Sequence, residues 1–480
     1  MISASHLANP KSIQLLVVFI DVPIALYVFF KCFKREVKKV RVPIVRNAVI
    51  ALSVALLVII EIFNFSNGES VVQFMNDRYS GETRIVERYG TVVNGAVNII
   101  QNNTEEKLIK QLTYGKSISS PSTVSTTKST SAQPNYVVIQ VESMDANIVK
   151  QQYKGSYVMP FLSSLRDNSV YYPYTLSYHK GGGTSDAEFS VINSVETLDS
   201  FPAIKLSSYT YPNSVVSKLA KASYNTLAFH GNVGTFYNRN IAFSKMGFKK
   251  FYDISSMNYE DEGWGAPDDK VFSFAFDKIS QSTKPFYAQV ITMTSHGPFE
   301  SARHYYNNST YDDIDNEIVK NYYNSFSYVD QSIKDFVQKI QSKYSNTYII
   351  IYGDHTPNIN SKEFAQASFI DGDKYFEFVP MFVITPDHKK YKEESVAASF
   401  LDVSPTILET SKLSYNLKTD GRSLLDTQAP PPNIPYKGGS FDRAWLYKKV
   451  ATHKYEEEEP LWKKYLPSFI SSNLIERHTN

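Results

Sequence analysis

A glycine-rich stretch ends in a threonine whose hydroxyl is a candidate nucleophile. Gly181-Gly182-Gly183 precedes Thr184, and glycines let a backbone approach a ligand closely. The residues that follow predict a helix beginning near Thr184, where free N–H groups and the helix dipole favour an anion. The simpler interpretation of Thr184 is a helix cap. A threonine hydroxyl attacks only where its surroundings lower its pKa, so other residues must activate it.

Acidic and imidazole side chains that could activate this hydroxyl lie far away along the chain. Glu142 and the pair Asp354-His355 each follow a hydrophobic, strand-like run. Carboxylate oxygens suit hard divalent cations, and a metal beside the Thr184 oxygen would favour its ionised form. An oxygen-rich site with one histidine suits manganese or magnesium, and zinc is also compatible. Together the residues predict a metal-dependent phosphoryl-transfer centre, although each acid alone could be a capping or turn residue.

Three further segments carry side chains that could contact a phosphate. The planar guanidinium of Arg239 suits bidentate contacts with phosphate oxygens. His296 follows a strand-like run and could bind the phosphate or act as a general acid. His230 ends a strand-like run, Asn232 and Tyr237 follow it, and all three could line the same pocket. A lone histidine is more often structural, so it is the combination that favours a substrate site.

These residues can meet only in a fold that brings the ends of several strands to one edge of a sheet. From about residue 135, runs rich in Val, Ile, Tyr and Phe alternate with helical patterns such as 215–222 and 322–342. Strands are predicted at 136–142, 226–230, 286–295, 347–352 and 379–384. The alternation predicts an α/β fold with a mostly parallel sheet covered by helices on both faces. Ligands of such sheets bind beyond the carboxyl ends of the strands, where Glu142, His230, His296, Asp354 and His355 all fall.

The N-terminal part predicts a membrane anchor. Residues 15–30 and 48–65 are mostly apolar, and each is about long enough to cross a bilayer. The alternatives are a buried core helix or a signal peptide, and two runs flanking a basic loop argue against cleavage. Residues 31–46 are rich in Lys and Arg, so the positive-inside rule places this loop in the cytoplasm and everything after about residue 66 outside the cell membrane.

The remaining boundaries follow from composition. Residues 66–115 predict juxtamembrane amphipathic helices, and residues 116–134 a Ser/Thr-rich linker. The catalytic α/β domain is predicted at 135–426, and residues 427–480 form a C-terminal extension opened by a proline run.

Overall composition excludes several classes of function. The 480 residues have a formal net charge of +2, which is too balanced to indicate a nucleic-acid partner. Cys32 is the only cysteine, so an intrachain disulfide and a cysteine nucleophile in the globular part are both excluded. The residues around Thr184 also lack the Cys/Ser-x-Pro-x-Arg pattern that a formylglycine nucleophile requires.

Five blocks in order resemble the lipoteichoic acid synthase family, membrane phosphoglycerol transferases of the alkaline phosphatase/sulfatase superfamily. The resemblance covers about residues 84–426. The blocks are residues 138–143, 183–189, 229–239, 292–299 and 351–355. Tyr237 stands where the family usually has tryptophan, and Asn232 where it often has an acid, so both differences concern the head-group pocket.

The resemblance implies roles for individual residues. It implies that Glu142, Thr184, Asp354 and His355 bind manganese, with Thr184 also the nucleophile. It implies that His230, Arg239 and His296 hold the glycerol phosphate. The activity it implies is transfer of glycerol phosphate from phosphatidylglycerol, through a covalent threonine intermediate, to a glycolipid or polymer acceptor of the lipoteichoic acid type. The alternatives are a phosphoethanolamine transferase or a water-using phosphodiesterase on the same scaffold, and a non-catalytic glycolipid-binding protein of the envelope.

Overall fold

The computed structural model describes the catalytic region almost completely. The described residues are 105–112, 114–119, 133–259, 265–282, 285–306, 308–359, 361–426 and 431–453. The predicted spans at 15–30 and 48–65, with the basic loop 31–46, lie outside them. Among the described residues no helix combines the length and apolar character needed to cross a bilayer. The chain divides into two units, residues 1–106 with Thr235–Asn238, and residues 107–234 with 239–480; the sheet and helices below belong to the second.

The strands and helices alternate along most of this unit. The strands are β1 (Lys116–Ser119), β2 (Asn135–Val141), β3 (Gln152–Tyr153), β4 (Ser156–Tyr157), β5 (Val170–Leu176), β6 (Asn225–His230), β7 (Lys250–Tyr252), β8 (Phe286–Ile291), β9 (Thr347–Gly353), β10 (Ser368–Asp371), β11 (Lys374–Ile384), β12 (Tyr391–Lys392), β13 (Ala398–Ser399), β14 (Asn416–Thr419), β15 (Ile434–Tyr436) and β16 (Gly439–Phe441). The helices are α1 (Pro160–Leu165), α2 (Thr184–Asn193), α3 (Val215–Lys221), α4 (Arg239–Met246), α5 (Asp268–Ser280), α6 (Ala302–Tyr305), α7 (Glu317–Lys343), α8 (Val403–Ser411) and α9 (Arg443–Thr452).

One large sheet organises these elements. Its order is β12-β5-β11-β9-β2-β8-β6-β7, with β10 beside β11 and β13 beside β5. The neighbours from β9 to β7 pair in parallel, whereas β11 is antiparallel to both β9 and β5. The predicted mostly parallel α/β sheet is therefore confirmed, and the predicted strand 379–384 is the end of the longer antiparallel strand β11.

Strand β5 was not predicted because Pro173 interrupts its apolar run. Proline cannot donate to a ladder and is confined to sheet edges or bulges. The structure accommodates it in an irregularity: Val379 pairs with Thr175 and Met381 with Tyr172, so the register shifts opposite the proline.

The long helix α7 packs on one face of the sheet. Its N-cap is Asn316, whose side chain accepts hydrogen bonds from the backbone N–H groups of Ile318 and Val319. Its buried residues recur at helical spacing, and Phe336 packs on Phe272 of α5 at a ring-centroid distance of 4.9 Å. The apolar stripe that predicted a helix at 322–342 is thus the core-facing side of α7.

The two segments flanking the catalytic domain also contribute structure. The predicted linker 116–134 begins with β1, which pairs antiparallel with β14, and residues 120–132 lie outside the described residues. In the predicted C-terminal extension, Arg443 of α9 donates two hydrogen bonds to the buried carboxylate of Asp402, at 2.7 and 2.9 Å. The described parts of the two segments, residues 116–119 and 431–453, are therefore attached to the domain.

Candidate active site

Two neighbouring parallel strands bring the predicted acids together. In the pairing of β2 with β9, Val141 lies opposite Gly353, so Glu142 and Asp354 are the next residues on adjacent strands. Ligand atoms of Glu142, Asp354 and His355 all lie within 4.8 Å of one another. His355 Nε2 is 3.1 Å from Glu142 Oε1 and 3.8 Å from Asp354 Oδ1. This is a compact set of one nitrogen and two carboxylate ligands.

The backbone fixes Asp354 from both sides. Asp354 Oδ1 accepts hydrogen bonds from the N–H groups of Ser143 and His355, each at 2.8 Å. A Cβ on Gly353 would lie 2.1 Å from the carbonyl oxygen of Met144, so only glycine allows this close approach of the two strand ends. Gly353 is therefore required for the backbone geometry that places Asp354 in the site.

The pKa shifts of Glu142, Asp354 and His355 indicate that the cluster requires positive charge. Burial and the Glu142 charge together raise the pKa of Asp354 well above its usual value. Burial alone would raise the pKa of Glu142 and lower that of His355. The charge of His355 instead lowers the pKa of Glu142, and the charges of Asp354 and Glu142 raise the pKa of His355. Without a cation, protons must therefore offset two buried carboxylates, and a divalent cation would replace those protons.

The orientation of His355 fits a metal ligand. Its Nδ1 lies 2.9 Å from the carbonyl oxygen of Thr356. A carbonyl can only accept, so Nδ1 carries a hydrogen, and Nε2, which faces Glu142, is the nitrogen that would bind a cation once its own proton is displaced. The donor set of two carboxylates, one imidazole and a nearby hydroxyl therefore fits a hard or borderline divalent cation.

Thr184 completes this cluster from α2. Its hydroxyl donates a hydrogen bond of 2.9 Å to Glu142 Oε2. Thr184 is the first residue of the helix, and Gly183 before it is the N-cap with φ +55° and ψ −127°, a conformation that favours glycine. All four side chains predicted to hold a metal thus lie together, and Thr184 is not itself the cap.

Asp186 fixes the glycine-rich loop before α2 by accepting hydrogen bonds from it. Asp186 Oδ2 accepts from the N–H groups of Lys180 and Gly182 at 2.9 and 2.8 Å, and Oδ1 accepts from Thr197 Oγ1 at 2.7 Å. Burial raises the pKa of this carboxyl to about 6. The N–H groups of Lys180 and Gly182 therefore have an acceptor within the protein.

Beneath the site, a buried chain of hydrogen bonds joins three strands. Tyr352 Oη donates to Gln140 Oε1 at 2.7 Å, which directs Gln140 Nε2 to the Thr184 carbonyl at 3.0 Å and Asp354 Oδ2 at 3.4 Å. Gln289 extends the chain, with Nε2 3.4 Å from Tyr352 Oη. Gln140 therefore positions both the candidate nucleophile and a candidate metal ligand.

His230 and His296 lie along the same edge of the sheet. His230 is the last residue of β6, and His296 follows β8 by five positions. Their Nδ1 atoms donate to backbone carbonyls, of Ile291 at 3.2 Å and of Gly297 at 2.7 Å. Burial and the Arg239 charge lower the pKa of His230 to about 3, so His230 is neutral across the physiological range.

The Arg239 side chain forms an ion pair with the buried carboxylate of Glu188. Its Nε donates to Glu188 Oε1 and Oε2 at 3.1 and 2.9 Å, and its Nη2 donates to Oε1 at 2.6 Å. Both side chains are buried, and Glu188 lies one helical turn after Thr184 on α2. The ion pair ties the phosphate-binding candidate to the helix of the candidate nucleophile. Contact between Arg239 and a phosphate stays a prediction.

Asn232 and Tyr237 are the other two residues predicted to contact the substrate. The side-chain oxygen of Asn232 accepts from the N–H of Val233 at 2.6 Å, so it shapes its own loop after β6. Tyr237 belongs to the short segment Thr235–Asn238 of the first unit; it is buried and has φ +57°. Their roles in head-group binding stay predictions.

The sequence analysis did not predict the histidine that stacks on His355 or the glutamate that this histidine contacts. The ring of His179 stacks on that of His355 with centroids 4.4 Å apart, and His179 Nδ1 is 3.0 Å from Glu377 Oε2. Thr356 Oγ1 donates to the other Glu377 oxygen. The position of His179, five residues before Thr184, was an available signal, but nothing in the sequence indicated that Glu377 on β11 would reach it.

A mostly parallel α/β sheet with a hydroxyl and a candidate metal-ligand cluster at its carboxyl edge is typical of one class of hydrolase and transferase enzymes. The sequence model described as Sulfatase matches residues 134–412, which is more than half of the chain. This protein belongs to the sulfatase family.

Individual relatives of this chain indicate a narrower group of proteins within the sulfatase family. It is 28% identical over 339 residues to lipoteichoic acid synthase 2 of Bacillus subtilis, covering 67% of this chain and 51% of the relative. It is also 28% identical over 483 residues to the lipoteichoic acid synthase of Staphylococcus saprophyticus, covering 93% and 72%. The chain thus spans about half the length of the Bacillus protein. The predicted resemblance to lipoteichoic acid synthases is confirmed.

A solved structure supports the fold. The lipoteichoic acid synthase LtaP from Listeria monocytogenes aligns with a TM-score of 0.53 and 24% identity, covering 62% of this chain and 75% of that one.

Proposed function

We propose that this chain is a membrane-anchored phosphoglycerol transferase that moves glycerol phosphate from phosphatidylglycerol to a lipoteichoic-acid-type polymer. The observation that carries the proposal is the Thr184 hydroxyl, bonded to Glu142 within the cluster that Asp354 and His355 complete. The similarity to lipoteichoic acid synthases supports the choice of donor and acceptor.

In the first step, Thr184 Oγ1 attacks the phosphorus of phosphatidylglycerol. The new Oγ1–P bond forms as the bond from phosphorus to the diacylglycerol oxygen breaks, and the hydroxyl proton passes to the hydrogen-bonded Glu142 carboxylate. Diacylglycerol leaves with a proton, for which His296 is the proposed donor. Glycerol phosphate is then esterified to Thr184.

In the second step, a hydroxyl of the glycolipid or polymer acceptor attacks the same phosphorus. The Oγ1–P bond breaks as the new bond from the acceptor oxygen to phosphorus forms. The acceptor hydroxyl gives its proton to His296, the threonine oxygen regains its proton from Glu142, and the acceptor is longer by one glycerol phosphate. Arg239 and His230 are proposed to hold the phosphate during both steps, because a fixed guanidinium and a neutral imidazole can donate to its oxygens. Asn232 and Tyr237 are proposed to line the glycerol pocket.

We assign Glu142, Thr184, Asp354 and His355 as ligands of one divalent cation, manganese or magnesium. When bound, the cation supplies positive charge that lowers the pKa of the Thr184 hydroxyl and offsets phosphate charge. The buried carboxylates and the fixed Nδ1–H of His355 support this assignment.

We also propose the topology derived from the sequence. Two transmembrane helices at 15–30 and 48–65 anchor the chain in the cell membrane, with the loop 31–46 in the cytoplasm. The helices of 66–115, the linker and the catalytic domain 135–426 lie outside, where membrane lipids supply the donor. Within the extension 427–480, the described residues 431–453 pack on that domain through Arg443.

The first test is intact mass spectrometry of the full-length protein in detergent with manganese and phosphatidylglycerol. The proposal expects a glycerophosphate adduct on the wild type and none on Thr184→Ala. Ser190→Ala is a matched control, because this hydroxyl lies on the same helix, is buried and has no hydrogen-bond partner in the described structure.

The outcomes separate the alternatives. An adduct from phosphatidylethanolamine instead would make the protein a phosphoethanolamine transferase. Glycerol phosphate released without an acceptor would make it a phosphodiesterase. No adduct and no release with either lipid would reject catalysis.

A further inference from the structure

Behind the candidate metal ligand His355, one buried carboxylate accepts hydrogen bonds from two directions. Glu377 Oε1 accepts from the hydroxyl of Thr356, and Glu377 Oε2 accepts from His179 Nδ1 at 3.0 Å. All three of these side chains are buried. Burying a carboxylate is costly unless it is paired and hydrogen-bonded. No proposed step of the transfer uses Glu377, so its place in the site needs another explanation.

Glu377 reaches the site because its strand runs against its neighbours. Strand β11 is antiparallel to β9, and Met381 pairs with Tyr352. Continued by four residues, this register sets Glu377 opposite Thr356, beyond the carboxyl end of β9. The amino-terminal part of an antiparallel strand thus contributes to an edge that is otherwise built from the carboxyl ends of parallel strands.

Both partners of Glu377 also contact His355. The carbonyl of Thr356 accepts the hydrogen on His355 Nδ1, at 2.9 Å. The ring of His179 stacks on that of His355, with centroids 4.4 Å apart and an angle of 20° between the ring planes. The hydrogen bond fixes the direction in which the His355 ring points, and the stacking fixes the plane of that ring. A single carboxylate therefore restrains, through two neighbours, the imidazole that presents Nε2 to Glu142.

The segment that carries His179 is itself bonded to β11 and to a second candidate ligand. The N–H of Ser177 donates to the Glu377 carbonyl at 2.9 Å, and Ser177 Oγ donates to the Asp354 carbonyl at 2.6 Å. The backbone before His179 is thus fixed on both sides of the site. The stacked ring has a defined position because hydrogen bonds hold it at the backbone and at the imidazole.

We propose that Glu377 is a positioning residue for the cation site, acting on His355 through Thr356 and His179. This inference rests on the proposed function, because it takes the divalent cation assigned to the cluster as present. Outer hydrogen-bond partners hold a metal ligand in the orientation that binds, and losing one typically weakens metal affinity by about tenfold to a hundredfold. A carboxylate that served only the packing of the fold would affect stability and leave affinity unchanged.

Three substitutions separate positioning from packing. Glu377→Leu removes both hydrogen bonds and should weaken manganese binding by about tenfold to a hundredfold. Glu377→Gln keeps the size of the side chain and an oxygen that can accept from Thr356, so it should recover part of that loss. Thr356→Val removes only the hydroxyl that donates to Glu377, keeps the shape of the side chain, and should weaken binding by less than Glu377→Leu.

Thr347→Val is the matched control for Thr356→Val. Thr347 is a buried threonine at the opposite end of β9, and its hydroxyl donates to the Tyr344 carbonyl at 2.7 Å. The same loss of a buried hydroxyl far from the cluster should leave the manganese affinity at the wild-type value.

The measurement is the electron paramagnetic resonance signal of free Mn²⁺ during titration of the full-length protein in detergent. It gives a dissociation constant without lipid and without turnover. Denaturant unfolding of each variant without metal identifies those that are folded, and Thr356→Val decides the matter if Glu377→Leu does not fold. Wild-type affinity in the folded variant, or equal weakening in Thr347→Val, would overturn the proposal. So would His179→Phe with an unchanged dissociation constant and a raised KM for phosphatidylglycerol, which would make His179 a substrate contact.

Failure of this inference is distinguishable from failure of the proposed function. A glycerophosphate adduct on Thr184 of the wild type, with equal manganese affinity in wild type and variants, would reject the positioning role and keep the transferase. Weaker binding in the variants, with no adduct on the wild type from any lipid, would keep the positioning role and reject the transferase.

Discussion

Thr184 donates its hydroxyl hydrogen to Glu142 Oε2 at 2.9 Å, although the two residues lie on different elements of the fold. The contact aligns a helix N-terminus with the end of the neighbouring parallel strand. It places the candidate nucleophile beside a carboxylate that His355 also contacts at 3.1 Å. A single carboxylate thus connects the hydroxyl to the candidate metal cluster.

The metal assignment predicts a ligand-dependent stability. Adding manganese to about one hundred times its dissociation constant should stabilise the wild type by about 2.7 kcal/mol, measured by thermal unfolding against a chelator. Asp354→Asn should lose this increase, because it removes a ligand. Its metal-free stability should change by less than this increase, because burial and the Glu142 charge raise the pKa of Asp354 and so disfavour its charged form in the absence of a cation.

Asp330→Asn is the control for the metal prediction. Asp330 is a buried carboxylate that accepts from the N–H groups of Phe161 and Leu162 at 2.8 Å. Its variant should be destabilised and yet keep the full response to manganese. An unchanged response in Asp354→Asn would contradict the assignment.

The buried chain beneath the site predicts a contrast between two tyrosines. Tyr352→Phe removes the donor to Gln140 Oε1 and should cost about 1–3 kcal/mol in the free energy of unfolding. It should also slow transfer, because Gln140 would no longer be fixed against Thr184 and Asp354. The measurement is denaturant unfolding together with the transfer rate at saturating manganese.

Tyr224→Phe provides the matched comparison. The Tyr224 hydroxyl is buried without a hydrogen-bond partner in the described structure, so its removal should be neutral or stabilising. Equal losses for the two variants would show that the chain through Tyr352 has no special role.

The pKa of His230 predicts how stability changes with pH. Burial and Arg239 lower this pKa from 6.5 to about 3. The unfolded state therefore binds a proton below pH 6.5 that the folded state refuses until about pH 3, so stability falls as pH falls through this window. Between pH 8 and pH 5 the wild type should lose about 2 kcal/mol more than His230→Asn, at about 1.4 kcal/mol for each pH unit below 6.5.

The control for the pH effect is His453→Asn, at the exposed end of α9. This variant should follow the wild type between pH 5 and pH 8. Denaturant unfolding of the three proteins at both pH values measures the difference, and parallel curves for wild type and His230→Asn would reject it.

The ion pair of Arg239 and Glu188 predicts a separation of stability from activity. Arg239→Met strands a buried carboxylate and should cost about 3–5 kcal/mol. Adding Glu188→Met removes that carboxylate and should restore most of the stability. Transfer should stay low in the double variant if Arg239 also holds the phosphate, whereas recovery of both properties would make the arginine purely structural.

The amino-acid sequence by itself determined the local elements and the edge of the sheet at which chemistry occurs. Hydrophobic runs that end in Glu142, His230 and Asp354 are strands because their apolar side chains must be buried on both faces. Parallel strands align their carboxyl ends, so residues that follow them meet whatever their spacing in the chain. The stripe of α7 followed from its helical periodicity.

The tertiary structure decided which side chain each polar group contacts. Arg239 meets Glu188, Asp186 holds the glycine-rich loop, and Gln140 joins Thr184 to Asp354. These pairings depend on the packing of elements far apart in sequence and on hydrogen-bond geometry within a few tenths of an ångström. Residue types and spacing do not encode such distances, because several acids compete for each donor until the folded backbone fixes their positions. The sequence therefore determined where the site lies, and only the fold determined how its residues are held.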